Sequence, residues 1–239
     1  MCIVVGRLTR ADAVRRSRES GETDHSHAWA RTTGMTKART TRVAGMLLLI
    51  ACGRQAGSTA GAQEWARFRG PNGQGIGSAT PVPAQWTEDD YNWKAALPGM
   101  GHSSPVVWGE RVFITSADQG AGVLYVLAFS AQSGEELWRR EYPVTPHELH
   151  QDSGYATATP SVDGDRLYLA LPSPQETSIL ALGHDGREVW ATRVPGVSSF
   201  HGPSISVLAV DGLAVLSLEQ EGATGPDSTP SQWIALDAA

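Results

Sequence analysis

From about residue 91 the chain alternates between short runs of β-branched, aliphatic and aromatic residues and breaks that contain glycine. Val106-Val107-Trp108, a Gly109-Glu110 break and Arg111-Val112-Phe113-Ile114-Thr115 predict two short strands joined by a tight turn. Ser161-Val162, an Asp163-Gly164 break and Arg166-Leu167-Tyr168-Leu169 repeat the arrangement. A third strand is predicted at Leu124 to Phe129 and again at Ser178 to Leu182. Each is followed by a glycine turn, Ser133-Gly134 or Asp185-Gly186, and by a fourth strand, Glu136-Leu137-Trp138 or Glu188-Val189-Trp190. No helical period longer than one turn interrupts the series, so the pattern predicts an all-β fold with four short strands per unit.

The units recur. Trp93, Trp138 and Trp190 each stand five residues before a proline, Pro98, Pro143 and Pro195, with steps of 45 and 52 residues between the tryptophans. After each comes a patch of small residues and a further proline: Ser103-Ser104-Pro105, Thr157-Ala158-Thr159-Pro160 and, more loosely, His201-Gly202-Pro203. A lone four-stranded sheet cannot bury both faces until neighbours stack on it, so repeats of this size predict the antiparallel blades of a β-propeller. A sandwich of equal length would alternate too, without requiring the repeated tryptophan and proline. The large rings of Trp93, Trp138 and Trp190 are expected to be structural anchors wedged between adjacent sheets, each with its N–H on a backbone carbonyl.

These residues resemble the pyrroloquinoline quinone (PQQ)-like propeller repeat. The resemblance rests on Ser104-Pro105-Val106-Val107-Trp108-Gly109-Glu110-Arg111-Val112-Phe113 and on Leu124 to Trp138 with its Ser133-Gly134 turn, and it extends over about residues 65–239. The lead-in Trp65-Ala66-Arg67-Phe68-Arg69-Gly70-Pro71 is similar to the opening of secreted members. Gln132 and Gly183-His184 depart from the repeat, where the family often has Asp and Thr before the tryptophan. Family propellers have seven or eight blades. About three are present here, and the closing Gln232 to Ala239 matches the third strand of a unit, so the chain is expected to be a C-terminally truncated piece of a longer propeller. The Trp93 strand lacks three preceding strands of its own blade and is expected to complete the last blade of the full ring.

Composition refines the picture at the amino terminus. Charged residues are 18% and hydrophobic residues 41% of the chain, enough to fold. The net charge of −6 divides unevenly: residues 1–42 carry nine Lys and Arg against four Asp and Glu, and the remainder ten against twenty-one. An acidic body argues against nucleic acid as a partner, since such binding draws on cations that neutralise phosphates. Residues 1–34 are left unassigned and fit a mis-called start. From Met35, the cations Lys37, Arg39 and Arg42 precede the apolar run Val43 to Ala51, which is far shorter than the roughly 20 residues of a membrane-spanning helix. Residues 35–52 therefore have the layout of a secretory signal. Leu49-Ile50-Ala51-Cys52 resembles a bacterial lipobox, which makes Cys52 the expected lipidation point; cleavage after Ala62 is the competing expectation. Residues 53–64 follow as a linker and 65–239 as the partial propeller.

Candidate chemistry is sparse. The connection Pro143 to Tyr155 is longer than its counterparts and holds His147, Glu148, His150 and Asp152, without the His-Glu-x-x-His spacing of zinc hydrolases. His102, Ser103, Tyr155 and His201 precede the innermost strand of their blades and are candidates for binding at the mouth of a central channel. No catalytic, cofactor-binding or metal residue is assigned. The resemblance implies two branches: a cofactor-free lipoprotein of outer-membrane protein assembly, and quinoprotein dehydrogenases that use PQQ and calcium. The enzymes carry an adjacent cysteine pair, and this chain has no cysteine after Cys52. The expectation is an exported periplasmic or outer-membrane lipoprotein that binds protein partners at the cell envelope and needs no cofactor. The alternative is a PQQ- and calcium-dependent dehydrogenase whose active-site residues lie beyond this chain.

Overall fold

The computed structural model describes residues 2–6, 64–78, 84–197, 199, 204–221 and 230–239. Its strands belong to one compact unit. They are β1 (Cys2–Gly6), β2 (Tyr91–Ala96), β3 (Val106–Trp108), β4 (Arg111–Asp118), β5 (Val123–Ser130), β6 (Glu136–Pro143), β7 (Ser161–Val162), β8 (Arg166–Pro172), β9 (Glu176–Gly183), β10 (Glu188–Pro195), β11 (Leu208–Val210), β12 (Leu213–Leu218) and β13 (Gln232–Asp237). Apart from a single turn of 3-10 helix at Glu88–Asp90, the described residues hold no helix. None is long and apolar enough to cross a membrane.

Strands β3 to β6 form one antiparallel four-stranded meander, β7 to β10 a second, and β11 to β13 a three-stranded sheet. Two complete four-stranded sheets and a third of three strands are the blades expected of a β-propeller, present here as a partial set. Register follows the repeat: Val112 opposes Phe129, Leu167 opposes Leu182 and Ala214 opposes Leu236, which makes these three pairs equivalent. The middle strands are buried on both faces, whereas β6 and β10 alternate between exposed and half-buried residues. That is the burial expected of blades stacked side by side with a wet outer strand.

Each junction has its own core. Val106, Phe113 and Val126 of the first sheet pack with Leu167, Leu169 and Leu180 of the second. Tyr168, Ile179 and Ala181 on the opposite face of the second sheet pack with Ala214, Leu216 and Leu218 of the third. Trp93 and Leu97, on and just after β2, cover Val112, Ile114 and Leu127. Removing a Leu or Phe side chain from water contributes about 1.5–3 kcal/mol, so each junction is held mainly by apolar contact. Val126 and Ile179 are fully buried, while Trp233 at the same repeat position of β13 is 79% exposed. It marks the face on which the first two sheets each carry a neighbour.

Two features differ from the sequence pattern. Within the unassigned segment 1–34, β1 pairs antiparallel with β2, matching Cys2 to Ala96 and Val5 to Trp93. An unpaired strand edge presents a row of N–H and C=O groups, and a short β-branched segment satisfies them. In the lead-in, Trp65 exchanges two backbone hydrogen bonds with Val107, both of 3.0 Å, on the open edge of β3.

Candidate functional site

The innermost strands are joined by a repeated hydrogen bond that the sequence reading missed. The backbone N–H of Ser104 donates to the Thr159 hydroxyl at 3.0 Å, and that of Thr159 donates to the Ser206 hydroxyl at 3.0 Å. Each residue stands two positions before the start of its repeat's inner pairing, at Val106, Ser161 and Leu208. Ser206, not the residue before Pro203, is therefore the counterpart of Ser104 and Thr159. Thr159 and Ser206 each supply a hydroxyl that accepts from the preceding repeat, and Ser206 does so with no proline after it.

This register separates the four channel-mouth candidates. His102 aligns with Thr157 and Ser204, whereas Tyr155 lies two residues earlier in its own repeat. His102 is exposed; Ser103 is buried, with its hydroxyl donating to the Ser104 carbonyl at 3.4 Å. The main-chain N–H groups of both converge on the Ala156 carbonyl at 2.9 Å. Tyr155 turns away from them into the junction core. His201 and the lipidation candidate Cys52 lie outside the described residues.

Tyr155 instead pins the long connection from β6 to β7. Its hydroxyl accepts from the His147 N–H and donates to the His147 carbonyl, each at 3.0 Å, and the two rings stand 5.0 Å apart at 58°. His147 Nδ1 lies 2.9 Å from the Thr145 carbonyl, a geometry that places the proton on Nδ1. His150 Nδ1 accepts from the Asp152 N–H at 3.2 Å. The two imidazoles are thus committed to local turn geometry. No three His, Cys, Asp or Glu side chains come together as a metal site among the described residues.

Two concavities flank the pinned connection. One, of about 350 Å³, lies between the first and second sheets and is walled by Leu124, Tyr142, Leu171 and Leu180, with Glu176, Glu188 and Arg193 also lining it. Burial and the Glu188 carboxylate push the Tyr142 hydroxyl above its ordinary pKa. The other, of about 280 Å³, is polar and is lined by His147, Ser204, Ser206, Ser217, Glu219 and Glu221 among others. Pro172 and Ser173 line both, so the two hollows adjoin. In an up-and-down meander the β6–β7 connection and the β8–β9 turn lie at the same end of the sheets, which gathers these groups on one face.

The repeat tryptophans lie at the junctions. Trp93 Nε1–H donates to the Ala131 carbonyl at 2.9 Å, Trp138 to His184 at 2.8 Å and Trp190 to Ala238 at 3.4 Å. Their rings rest on the turn of the next sheet: a Cβ on Gly134 would come 2.5 Å from Trp93 Cδ2, and one on Gly186 2.7 Å from Trp138 Cδ2. These rings are occupied in packing.

A family model described as outer membrane protein assembly factor BamB matches residues 87–196 and 122–229, together more than half of the chain. Among solved structures, the chain is similar to the crystal structure of BamB from Moraxella catarrhalis, at 16% identity over 62% of this chain and 40% of that one, with a TM-score of 0.42. It is also similar to a europium-containing methanol dehydrogenase, at 14% identity over 48% of this chain and 21% of that one, with a TM-score of 0.34. The chain spans less than half the length of either structure. No curated protein matches it.

Proposed function

The chain belongs to the family described as outer membrane protein assembly factor BamB, and from that premise we propose that it is an exported, non-catalytic module that binds or scaffolds proteins at the cell envelope. The observation that carries this reading is the β6–β7 connection, which the Tyr155–His147 pair holds against two adjoining hollows. Long connections fixed on a rigid stack of sheets are where repeat folds place recognition. The main-chain edges and loops of such a stack engage partners through extended contacts. In this reading residues 35–52 direct export, and Cys52 is acylated and tethers the acidic body to a membrane.

The test is recovery of the tagged full chain from detergent-solubilised envelopes of a host with an outer membrane. Co-purification of outer-membrane assembly proteins in amounts comparable to the bait supports the reading. Recovery of the chain alone, with stoichiometric quinone absorbance and dye reduction after PQQ and Ca²⁺ are added, overturns it.

A further inference from the structure

Strand β1 pairs with β2 in the register that joins the third and fourth strands of the first two sheets. Trp138 lies opposite Ala128 and Trp190 opposite Ala181, and in both sheets a bulge lies beside that pair, so that Glu136 meets Phe129 and Glu188 meets Leu182. Trp93 lies opposite Val5, and across the same bulge Tyr91 meets Gly6. By register, β2 is thus a fourth strand and β1 stands in the place of its third. The β11–β13 sheet has the converse gap. Its β13 is a third strand, with Ala235 opposite Val215 as Ala128 is opposite Phe113 and Ala181 opposite Tyr168. Among the described residues no strand lies on the outer edge of β13. Gln232–Asp237 contains neither proline nor lysine, residues that keep an open edge from pairing.

We propose that two copies of this chain close one six-bladed ring, β13 of each pairing with β2 of the other in the place that β1 holds here. The shared register sets Ala235 opposite Trp93 of the second copy, and Trp233 opposite its Ala95. The new junction repeats those already present. Between the first two sheets, Phe113 and Val126 pack on Leu167, Leu169, Leu180 and Leu182. By pairing, Val112, Ile114, Leu127 and Phe129 are the equivalents of those four leucines, and they form the opposite face of the first sheet. In the ring that face of one copy receives Trp233 of the other, which is the repeat equivalent of Val126 and is 79% exposed in the single chain. One copy cannot close on itself, because propellers need at least about four blades, whereas two copies supply six. The contact is head-to-tail, and a half-turn closes it, so assembly stops at two chains. Because β1 competes for the same edge, the apparent affinity between copies scales with the fraction of chains in which that edge is free.

The experiment measures the mass of the full chain by sedimentation equilibrium over a concentration series. Val4→Pro with Val5→Pro removes two successive N–H groups from β1 and frees the β2 edge. Deletion of residues 2–6 repeats that test without proline. Trp233→Lys places a charge on the exposed face of β13 and leaves the buried core untouched. Circular dichroism checks each fold. The proposal expects a monomer–dimer equilibrium that tightens about tenfold or more when β1 is disrupted and weakens about tenfold or more in Trp233→Lys. Monomers at every concentration once β1 is disrupted, or mass that keeps growing beyond two chains, overturn it. So does a dimer that Trp233→Lys leaves intact. A dimer that Trp233→Lys weakens but β1 disruption leaves unchanged is a pairing of β13 with β13, and it too overturns the ring.

Discussion

The indole N–H of Trp138 donates to the carbonyl of His184, 46 residues further along the chain, at 2.8 Å, and the same ring lies against Gly186. One side chain thereby sets both the spacing and the angle between two sheets. Trp93 repeats the contact on Ala131 and Gly134.

Gly186 has φ +80, and a Cβ there would meet the Trp138 ring at 2.7 Å. Gly186→Ala is expected to cost about 2–4 kcal/mol, combining left-handed strain with an overpacked junction. Gly212 supplies the control, because its φ is +74 and nothing lies within 4 Å of an added Cβ. Gly212→Ala should cost only about 1 kcal/mol. Urea unfolding of the three proteins separates strain from collision.

Thr159→Val keeps the shape of the residue and removes the acceptor for the Ser104 N–H. Leaving that donor unpaired between inner strands should destabilise by about 1–3 kcal/mol, while Thr159→Ser restores most of the loss. Equal stability of the valine and serine variants, read from thermal or urea midpoints, would remove the relay from the account.

These two sets of contacts also show what could be read in advance. Strand positions and the tryptophan repeat were legible because alternation and turn glycines are local signals, and the rings recur at nearly constant steps. The hydroxyl relay was not. Its requirement is an oxygen facing the preceding repeat, which a patch ending in proline imitates, so Pro203 drew the third unit out of register by several residues. Tyr155 was legible as a residue near an inner strand. Its direction was not, because the His147 backbone that captures its hydroxyl is ordered only once the connection folds back. The pairing of β1 with β2 lacked a signal beyond a short β-branched run in an otherwise basic segment.

Tyr168 is 1% exposed and its hydroxyl donates to Asp163 Oδ2 at 2.8 Å. Burial, followed by that hydrogen bond and the Asp163 charge, raises its pKa well above the ordinary value of 10.0. The neutral form is favoured in the folded state, so this stability is complete below about pH 10 and is lost as pH rises toward the folded-state value. Tyr168→Phe should cost about 0.5–1.5 kcal/mol at neutral pH and flatten the fall in stability above about pH 10. Denaturant melts across that range check it; identical alkaline slopes would contradict it.

If Cys52 carries the lipid, Cys52→Ser moves the full chain from the membrane pellet to the soluble fraction when it is produced in a host with lipoprotein processing. Fractionation and intact mass of the parent provide the readout. A soluble parent chain beginning at Gln63 would assign cleavage to the Ala62 site instead.

The central claim is that the face carrying the β6–β7 connection meets protein partners. Site-specific photo-crosslinking in intact envelopes tests it most directly, with the reactive residue placed at exposed Glu148 and, for comparison, at exposed Gln132 on the turn at the opposite end of the sheets. The account predicts discrete adducts with outer-membrane assembly proteins from position 148 and few from position 132. Equal yields from both positions, or none from 148, would contradict it.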